Sequence, residues 1–131
     1  MTTELHEERL QAVCEVVRNS AARRIIDMGC GDGDLIVRLL EQPQIEKLLG
    51  IELSAMALQQ LRVRLDALSA DDLCRVELQQ GSMLELPMNL SGFDCAVMLE
   101  TIEHIDPRHL SVLERALFER MQTATIVITT P

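Results

Sequence analysis

The sequence has little that would let it grip nucleic acid broadly. It contains no tryptophan and no tyrosine, and aromatic residues make up 2% of the chain. Stacking of bases on aromatic side chains is therefore disfavoured. Twelve Lys and Arg stand against twenty-one Asp and Glu, which gives a net charge of -9, the opposite of the basic surface expected of a duplex binder. Any nucleic-acid substrate must be held locally or by something outside this sequence.

Several other signals are missing as well. No CxxC pair occurs, and no Cys or His spacing suits structural zinc. The start lacks the basic and apolar regions of a signal peptide, and no apolar run approaches the ~18 residues needed to cross a bilayer. We expect a soluble cytoplasmic protein with no membrane partner. We expect reduced thiols in or near the core at all four cysteines, Cys14, Cys30, Cys74 and Cys95.

What is present is an alternation of short apolar runs and longer helical patterns. The 131 residues, 47% of them hydrophobic, suit one domain spanning residues 1–131 with a substantial core. The predicted strands are Arg24–Met28, Leu48–Glu52, Arg75–Gln79, Phe93–Leu99 and Thr125–Thr130. The predicted helices are Glu4–Val17, Asp34–Leu40, Ala55–Leu68 and Arg108–Met121.

Apolar spacing and capping residues support these helices. Ser54 is a suitable N-cap for the third helix, and Asp106 can cap the fourth with Pro107 at its first position. The predicted buried stripes are Leu5, Leu10, Val13 and Val17 in the first helix and Met56, Leu58, Leu61, Leu65 and Leu68 in the third. Helices between successive strands indicate right-handed crossovers. The fold class is therefore α/β, a Rossmann-like, doubly wound, mostly parallel sheet of about five strands with helices on both faces.

A glycine-rich turn follows the first strand between Asp27 and Gly33. Glycines at alternate positions let the backbone turn tightly and approach a ligand. An ordinary strand-to-helix turn is one explanation, and a dinucleotide site is another. The dinucleotide fingerprint, however, requires a third glycine where Asp34 stands, and Asp27 and Asp32 would repel a pyrophosphate. The same carboxylates favour a ligand with an ammonium and a sulfonium, which describes S-adenosylmethionine. The glycines are Gly29, Gly31 and Gly33.

Two further segments fit an adenosine. Glu52 ends the second strand about twenty residues after the loop, where it could accept both ribose hydroxyls. Ser82 and Met83 follow the third strand, where one could hydrogen-bond to an adenine and the other pack on it. A plain turn explains that last segment almost equally well.

The segment after the fourth strand groups two carboxylates and an imidazole, Glu100, Glu103 and His104. On a helical turn these side chains share one face. Two oxygens and one nitrogen could bind Mg²⁺ or Mn²⁺ and leave sites open for a vicinal diol. Alternatively, the pair Glu103 and His104 only shapes the pocket and caps the next helix. His109 is predicted to lie on a helix surface.

The loop, the acidic end of the second strand and the polar residue after the third together resemble the Rossmann-like S-adenosylmethionine-dependent methyltransferases. The resemblance covers the chain from about Arg23 onward. It implies cofactor-binding roles for Asp27, Gly29, Gly31, Gly33, Glu52, Leu53, Ser82, Met83 and Leu99.

Two methyltransferase families resemble the ExxEH pattern. They are the bacterial small-RNA 3′-terminal ribose 2′-O-methyltransferases and the ubiquinone-biosynthesis O-methyltransferases, which act on catechols. The segments 99–107, 113–118 and 126–131 favour the RNA family. That resemblance implies catalytic and metal-binding roles for Glu100, Glu103 and His104, with Mg²⁺ or Mn²⁺ holding the hydroxyls at the RNA 3′ end.

The chain departs from the RNA family after the fifth strand. Family members take a fourth metal ligand, a second histidine, from beyond that strand, and the sixth and seventh strands are missing too. We therefore expect a C-terminally truncated domain that binds cofactor but has weak or no activity alone, with RNA bound mainly by regions absent here. The exposed fifth strand invites self-association. A non-catalytic partner subunit remains an alternative.

Overall fold

The computed structural model describes residues 3–85, 92–99, 105–121 and 123–129. The strands are β1 (Arg24–Met28), β2 (Lys47–Glu52), β3 (Val76–Gln80), β4 (Cys95–Leu99) and β5 (Thr125–Thr129). The helices are α1 (Glu4–Ser20), α2 (Asp34–Leu39), α3 (Ala55–Leu65), α4 (Ala70–Leu73) and α5 (Leu110–Arg115). A 3₁₀ turn, Pro107–His109, precedes α5, and a π-helical segment, Ala116–Met121, follows it.

The five strands form one sheet in the order β3-β2-β1-β4-β5. Every pair of neighbours is parallel, with Asp27 of β1 opposite Gly50 of β2 on one side and Val97 of β4 on the other. The predicted doubly wound α/β fold is thus confirmed. Because β1 lies between β2 and β4, the loops after these strands open on the same edge of the sheet, where such folds bind ligands.

The core has two layers because successive strand residues point to opposite faces. On one face Ile25 packs with α1, α2 and α3, and on the other Ile26 and Met28 pack with α5. By this alternation Asp27 shares the face of Ile25 and is 2% exposed. The sheet therefore carries one carboxyl group into the apolar layer beneath α1 and α2.

The caps of two helices form as predicted. The Ser54 side chain accepts a hydrogen bond from the Ala57 amide at 3.2 Å. Asp106 accepts from the Arg108 amide at 2.9 Å, with Pro107 in the first turn, although the element it begins is a 3₁₀ turn rather than an α-helix.

Several boundaries differ from prediction for local reasons. The third helix ends at Leu65, and Ser69, which accepts from the Asp72 amide, begins the unpredicted α4. β4 begins at Cys95, and the side chain of the preceding Asp94 accepts hydrogen bonds from the amides of Arg23 and Arg24.

Three predictions of burial were wrong. Met56 is 71% exposed and Leu5 54% exposed, since each lies on the solvent side of its helix, and Cys74 is exposed beyond the end of α4. Cys30 and Cys95 are buried and Cys14 is partly buried, as expected. In the described ranges, no helix is long and apolar enough to cross a membrane.

Candidate functional site

The glycine loop joins β1 to α2 at the carboxyl edge of the sheet. Gly29, Gly31 and Gly33 have φ values of 83°, 55° and 85°, a region that side chains other than glycine rarely adopt. The amides of Gly29 and Cys30 both donate to the Ile51 carbonyl, at 2.8 and 3.0 Å. The loop is therefore folded back against the end of β2.

Two glycines of this loop serve different purposes. A Cβ atom at Gly33 would overlap Cδ1 of Leu61, a fully buried residue of α3. A Cβ atom at Gly31 would meet nothing within 4 Å. Gly33 thus allows close packing of α3, whereas Gly31 faces open space.

Glu52 connects the loop to the end of β2. Its Oε1 atom accepts a hydrogen bond from the Gly31 amide at 2.8 Å, and its Oε2 atom accepts one from the Ser54 amide at 2.9 Å. Each carboxylate oxygen has lone pairs left for another donor. Glu52 is therefore held in one orientation and can still accept ligand hydroxyls.

The larger of two cavities along this edge has a volume of about 470 Å³. This larger cavity combines an apolar lining with a few polar groups, as small-molecule sites do. Its walls come from the ends of β1, β2 and β3 and from the segment before α5. Its lining residues are Gly29, Ile51, Glu52, Leu53, Gly81, Ser82, Met83, Leu84, Ile105, Asp106 and His109.

Ser82 is oriented by the turn after β3. Its hydroxyl oxygen accepts a hydrogen bond from the Leu84 amide at 3.1 Å, and the hydroxyl can still donate. A Cβ atom at neighbouring Gly81 would meet nothing within 4 Å. One side of the larger cavity is thus open to a flat ligand group.

The smaller cavity, of about 140 Å³, lies on the other side of Gly29, which lines both. Three carboxylates, a thiol and an imidazole surround it. Its lining residues are His6, Asp27, Gly29, Cys30, Gly31, Asp32, Asp34, Leu35 and Leu99. The smaller cavity is suited to a compact, positively charged group.

Burial changes the acidity of two groups in the smaller cavity. Burial raises the pKa of Asp27 to about 7, with a further contribution from the charge of Glu52. Burial, aided by the charges of Asp27 and Glu52, raises the pKa of Cys30 to about 12. Cys30 is therefore an unreactive thiol at neutral pH, whereas Asp27 is poised to ionise when a cation arrives.

The first turn of α2 is tied to two other helices. Asp34 Oδ1 accepts a hydrogen bond from Arg64 of α3 at 2.6 Å, and Asp34 Oδ2 lies 3.5 Å from Nε2 of His6 in α1. Burial opposes ionisation of Asp34, but Arg64 and then His6 lower its pKa overall. Arg38 of α2 pairs with Glu7 of α1. These contacts hold the start of α1 over the glycine loop.

Most residues predicted to bind the cofactor converge on these two cavities. Glu52, Leu53, Ser82 and Met83 line the larger cavity, Asp27, Gly31 and Leu99 line the smaller cavity, and Gly29 lines both. Gly33 lines neither and packs against Leu61. Their binding roles stay predictions.

The predicted catalytic and metal cluster, Glu100, Glu103 and His104, lies outside the described residues. Within the described ranges, no group of three or more His, Cys, Asp or Glu is arranged to hold a metal ion. That finding does not concern the cluster.

Sequence reasoning did not place two histidines at the site. His109, predicted on a helix surface, is exposed and also lines the larger cavity, and His6 of α1 lines the smaller cavity. For His109, the nearby cap Asp106 was a usable signal because it fixes where the turn begins. For His6 no local signal existed, since it lies 21 residues before Asp27.

The chain is similar to known methyltransferases. A family described as "methyltransferase domain" matches residues 25–122. The rat small RNA 2′-O-methyltransferase is 32% identical over 133 residues, covering 97% of this chain and 34% of the relative. This chain thus spans about a third of that relative's length.

Solved structures agree. The methyltransferase domain of bacterial CtHen1 superposes with a TM-score of 0.90 at 33% identity, over 98% of this chain and 67% of that one. A glycopeptide N-methyltransferase, MtfA, complexed with S-adenosyl-L-methionine, superposes with a TM-score of 0.78 over 92% of this chain and 53% of that one. At 22% identity that second likeness concerns the fold alone.

Proposed function

This chain belongs to the methyltransferase domain family, and from that premise we propose that it binds S-adenosylmethionine across the two cavities and methylates RNA. The reaction is transfer of the sulfonium methyl group to the 2′-hydroxyl of the 3′-terminal ribose of a small RNA. The observation that carries the cofactor part is the pair of adjoining cavities that share Gly29.

The residues of the larger cavity suit the adenosine half of the cofactor. Glu52 would accept the ribose hydroxyls, because two amides already orient its carboxylate. Met83 would pack on the adenine, and Ser82 would hydrogen-bond to its edge. Leu53, which lines the larger cavity and is 69% exposed, would gain an apolar contact with the adenosine.

The smaller cavity suits the amino-acid half. Asp27 would accept the ammonium group, and binding would favour its ionised form because an adjacent cation lowers a carboxyl pKa. Gly29 and Gly31 let the backbone approach without a side chain in the way. Leu99, at the end of β4, would contact the chain that links the amino acid to sulfur.

For the substrate, the support is the similarity to proteins named small RNA 2′-O-methyltransferase. We propose that Glu100, Glu103 and His104 hold Mg²⁺ or Mn²⁺, since two carboxylates and an imidazole are suitable ligands. When bound, such an ion lowers the pKa of a coordinated hydroxyl. His104 is also the proposed general base if it is not fully engaged with the metal.

The test is transfer of tritium from labelled S-adenosylmethionine to RNA, with and without Mg²⁺ or Mn²⁺. Native RNA ends are compared with ends whose 2′-hydroxyl is already methylated, and a catechol is the competing substrate. For this chain alone we expect at most weak, metal-dependent labelling of unblocked ends, which is lost in Glu103→Ala while cofactor affinity is retained. Labelling of the catechol alone would instead support the small-molecule alternative.

Binding and turnover are measured separately because a non-catalytic subunit would bind cofactor without transfer. Calorimetric titration with S-adenosylhomocysteine, with NAD as the control, tests the cofactor proposal. Binding of NAD in preference would refute it. No transfer to either substrate, despite tight binding, would count against catalysis by this chain.

We also propose self-association through β5. Within the described residues β5 pairs only with β4, and Ile128 is 44% exposed. Sedimentation at rising concentration should show dimers that Ile128→Lys abolishes. A monomer at all concentrations would refute this.

We also propose that the protein is cytoplasmic. Its four free cysteines are compatible with that reducing compartment.

A further inference from the structure

The smaller cavity is well supplied with negative charge and poorly supplied with donors. An amino-acid group is a zwitterion, so its carboxylate needs a hydrogen-bond donor or a positive charge as much as its ammonium needs an acceptor. Asp27, Asp32 and Asp34 all line this cavity, and their ionised side chains can serve only the ammonium. A partner for the carboxylate must be found elsewhere.

The backbone of the glycine loop is largely committed already. Five of the six amides from Gly29 to Asp34 donate within the protein, since those of residues 29 and 30 reach the Ile51 carbonyl and that of Gly31 reaches Glu52. The amide of residue 33 donates to the Cys30 carbonyl and that of residue 34 to the side chain of Asp32. The loop thus offers few amides to a ligand carboxylate.

Among the described residues lining the smaller cavity, His6 has the only side chain able to carry a positive charge. It is partly buried, with its side chain 26% exposed, and its Nε2 atom lies 3.5 Å from Asp34. Arg64 donates to the other oxygen of Asp34 at 2.6 Å, so Asp34 keeps a cationic partner if the imidazole turns toward a ligand.

The start of α1 is firmly placed for such a role. Glu7 pairs with Arg38 of α2, and the Thr3 side chain caps the helix by accepting from the His6 amide at 3.1 Å. Leu10, Val13 and Val17 bury the same helix in the core. A ligand contact through His6 would therefore couple the cofactor to a helix that is packed into the core and lies before the loop in the chain.

We infer that His6 binds the carboxylate of the cofactor's amino-acid group, which makes the N-terminal helix α1 part of the cofactor site. The inference rests on the proposed function, because it assumes that the amino-acid half of S-adenosylmethionine occupies the smaller cavity. It divides the zwitterion between two elements, with the carboxylate on α1 and the ammonium on the end of β1.

The test compares three ligands on the native protein and on His6→Ala by calorimetry. S-adenosylhomocysteine has both charged groups, its decarboxylated analogue keeps only the ammonium, and 5′-methylthioadenosine has neither. His6→Ala should weaken binding of S-adenosylhomocysteine by about tenfold, as expected for loss of one charge-assisted hydrogen bond. Binding of the other two ligands should stay within about twofold of native.

Two further variants separate binding from folding. His6→Gln keeps an N–H donor near the position of Nε2 and should recover most of the lost affinity. Gln11→Ala, an exposed change on the same helix outside the smaller cavity, should leave all three affinities unchanged. Thermal unfolding of each variant shows whether α1 remains packed.

The outcomes are distinct. If His6→Ala changes all three affinities equally, or none, the inference is wrong while the proposed cofactor function survives. If the native protein binds none of the three ligands, the proposed function itself fails and this inference fails with it. Loss confined to the ligand with a carboxylate supports both.

Discussion

The two cavities that meet at Gly29 differ in size, lining and origin. The larger cavity, about 470 Å³, is mostly apolar and is built from turns that directly follow β2 and β3 together with the segment before α5. The smaller cavity, about 140 Å³, is lined by carboxylates and depends on a helix from the other end of the chain. If one cofactor occupies both cavities, as proposed, the larger cavity selects it by shape and the smaller cavity by charge.

The largest expected effect is on stability. It should distinguish Gly33, which packs against the core, from Gly31, which lines the smaller cavity. Both Gly33 and Gly31 have positive φ, so alanine costs about 1–2 kcal/mol at either. At Gly33 the methyl also displaces buried Leu61, which adds roughly 1–3 kcal/mol. Urea unfolding should show the larger loss of stability for Gly33→Ala.

Cofactor titration completes that comparison. Gly31→Ala should weaken binding of S-adenosylhomocysteine despite its smaller effect on stability, because its methyl enters open space on the ligand side. Equal stability losses in the two variants would contradict the division of roles.

The second prediction concerns the buried carboxyl of the smaller cavity. Its folded-state pKa of about 7 exceeds the ordinary 3.8, so the folded protein binds the Asp27 proton more tightly than the unfolded chain. The stabilising contribution is fully present below about pH 4 and is lost as pH rises through about 7. The difference amounts to at most ~4 kcal/mol.

Asp27→Asn should remove this part of the pH dependence. The free energy of unfolding of the variant, compared with that of the native protein, should therefore be more favourable at pH 8 than at pH 5. It should also weaken binding of both ligands that carry an ammonium, but not of 5′-methylthioadenosine. Denaturant midpoints measured from pH 4 to 8 provide the check. A native stability that is flat across this range would argue against the raised pKa.

The third prediction concerns the residue that joins the cavities. Glu52 lines the larger cavity and holds the Gly31 amide of the smaller one. Glu52→Ala should therefore weaken binding of S-adenosylhomocysteine and 5′-methylthioadenosine alike, by about 10- to 100-fold. Exposed Glu8 provides the control variant, Glu8→Ala, which should bind as native does. A loss confined to S-adenosylhomocysteine would mean that Glu52 acts only through the Gly31 amide of the smaller cavity and does not bind the adenosine.

The smallest expected effect is at the rim of the larger cavity. His109 is exposed and lines this cavity, so His109→Ala should lose a partial contact with the adenine side, about two- to fivefold in affinity. Both S-adenosylhomocysteine and 5′-methylthioadenosine should be affected equally, in contrast to His6→Ala. Calorimetry on the two histidine variants makes this comparison. If His109→Ala weakened binding of S-adenosylhomocysteine only, His109 would contact the amino-acid group and not the adenosine.

Much of the fold was predictable because its signals are local. β1 has its predicted bounds. Ser54 caps α3 as predicted, because a cap depends on residues only three apart in the chain. The predicted continuation to Leu68 was wrong because Ser69 begins a separate short helix. The apolar stripe predicted for α3 was wrong at Met56, whose side chain lies on the solvent side of the helix and is 71% exposed.

By itself, the sequence determined the order of strands and helices, the glycine loop, the carboxylate at the end of β2 and membership of the methyltransferase domain family. These follow from hydrogen bonding and burial among near neighbours. Only the tertiary structure decided that Gly33 packs against α3 while Gly31 faces open space, and that His6 reaches the cavity of Asp27. Such contacts join residues that are distant in the chain, and they depend on how α1 and α3 pack across the sheet.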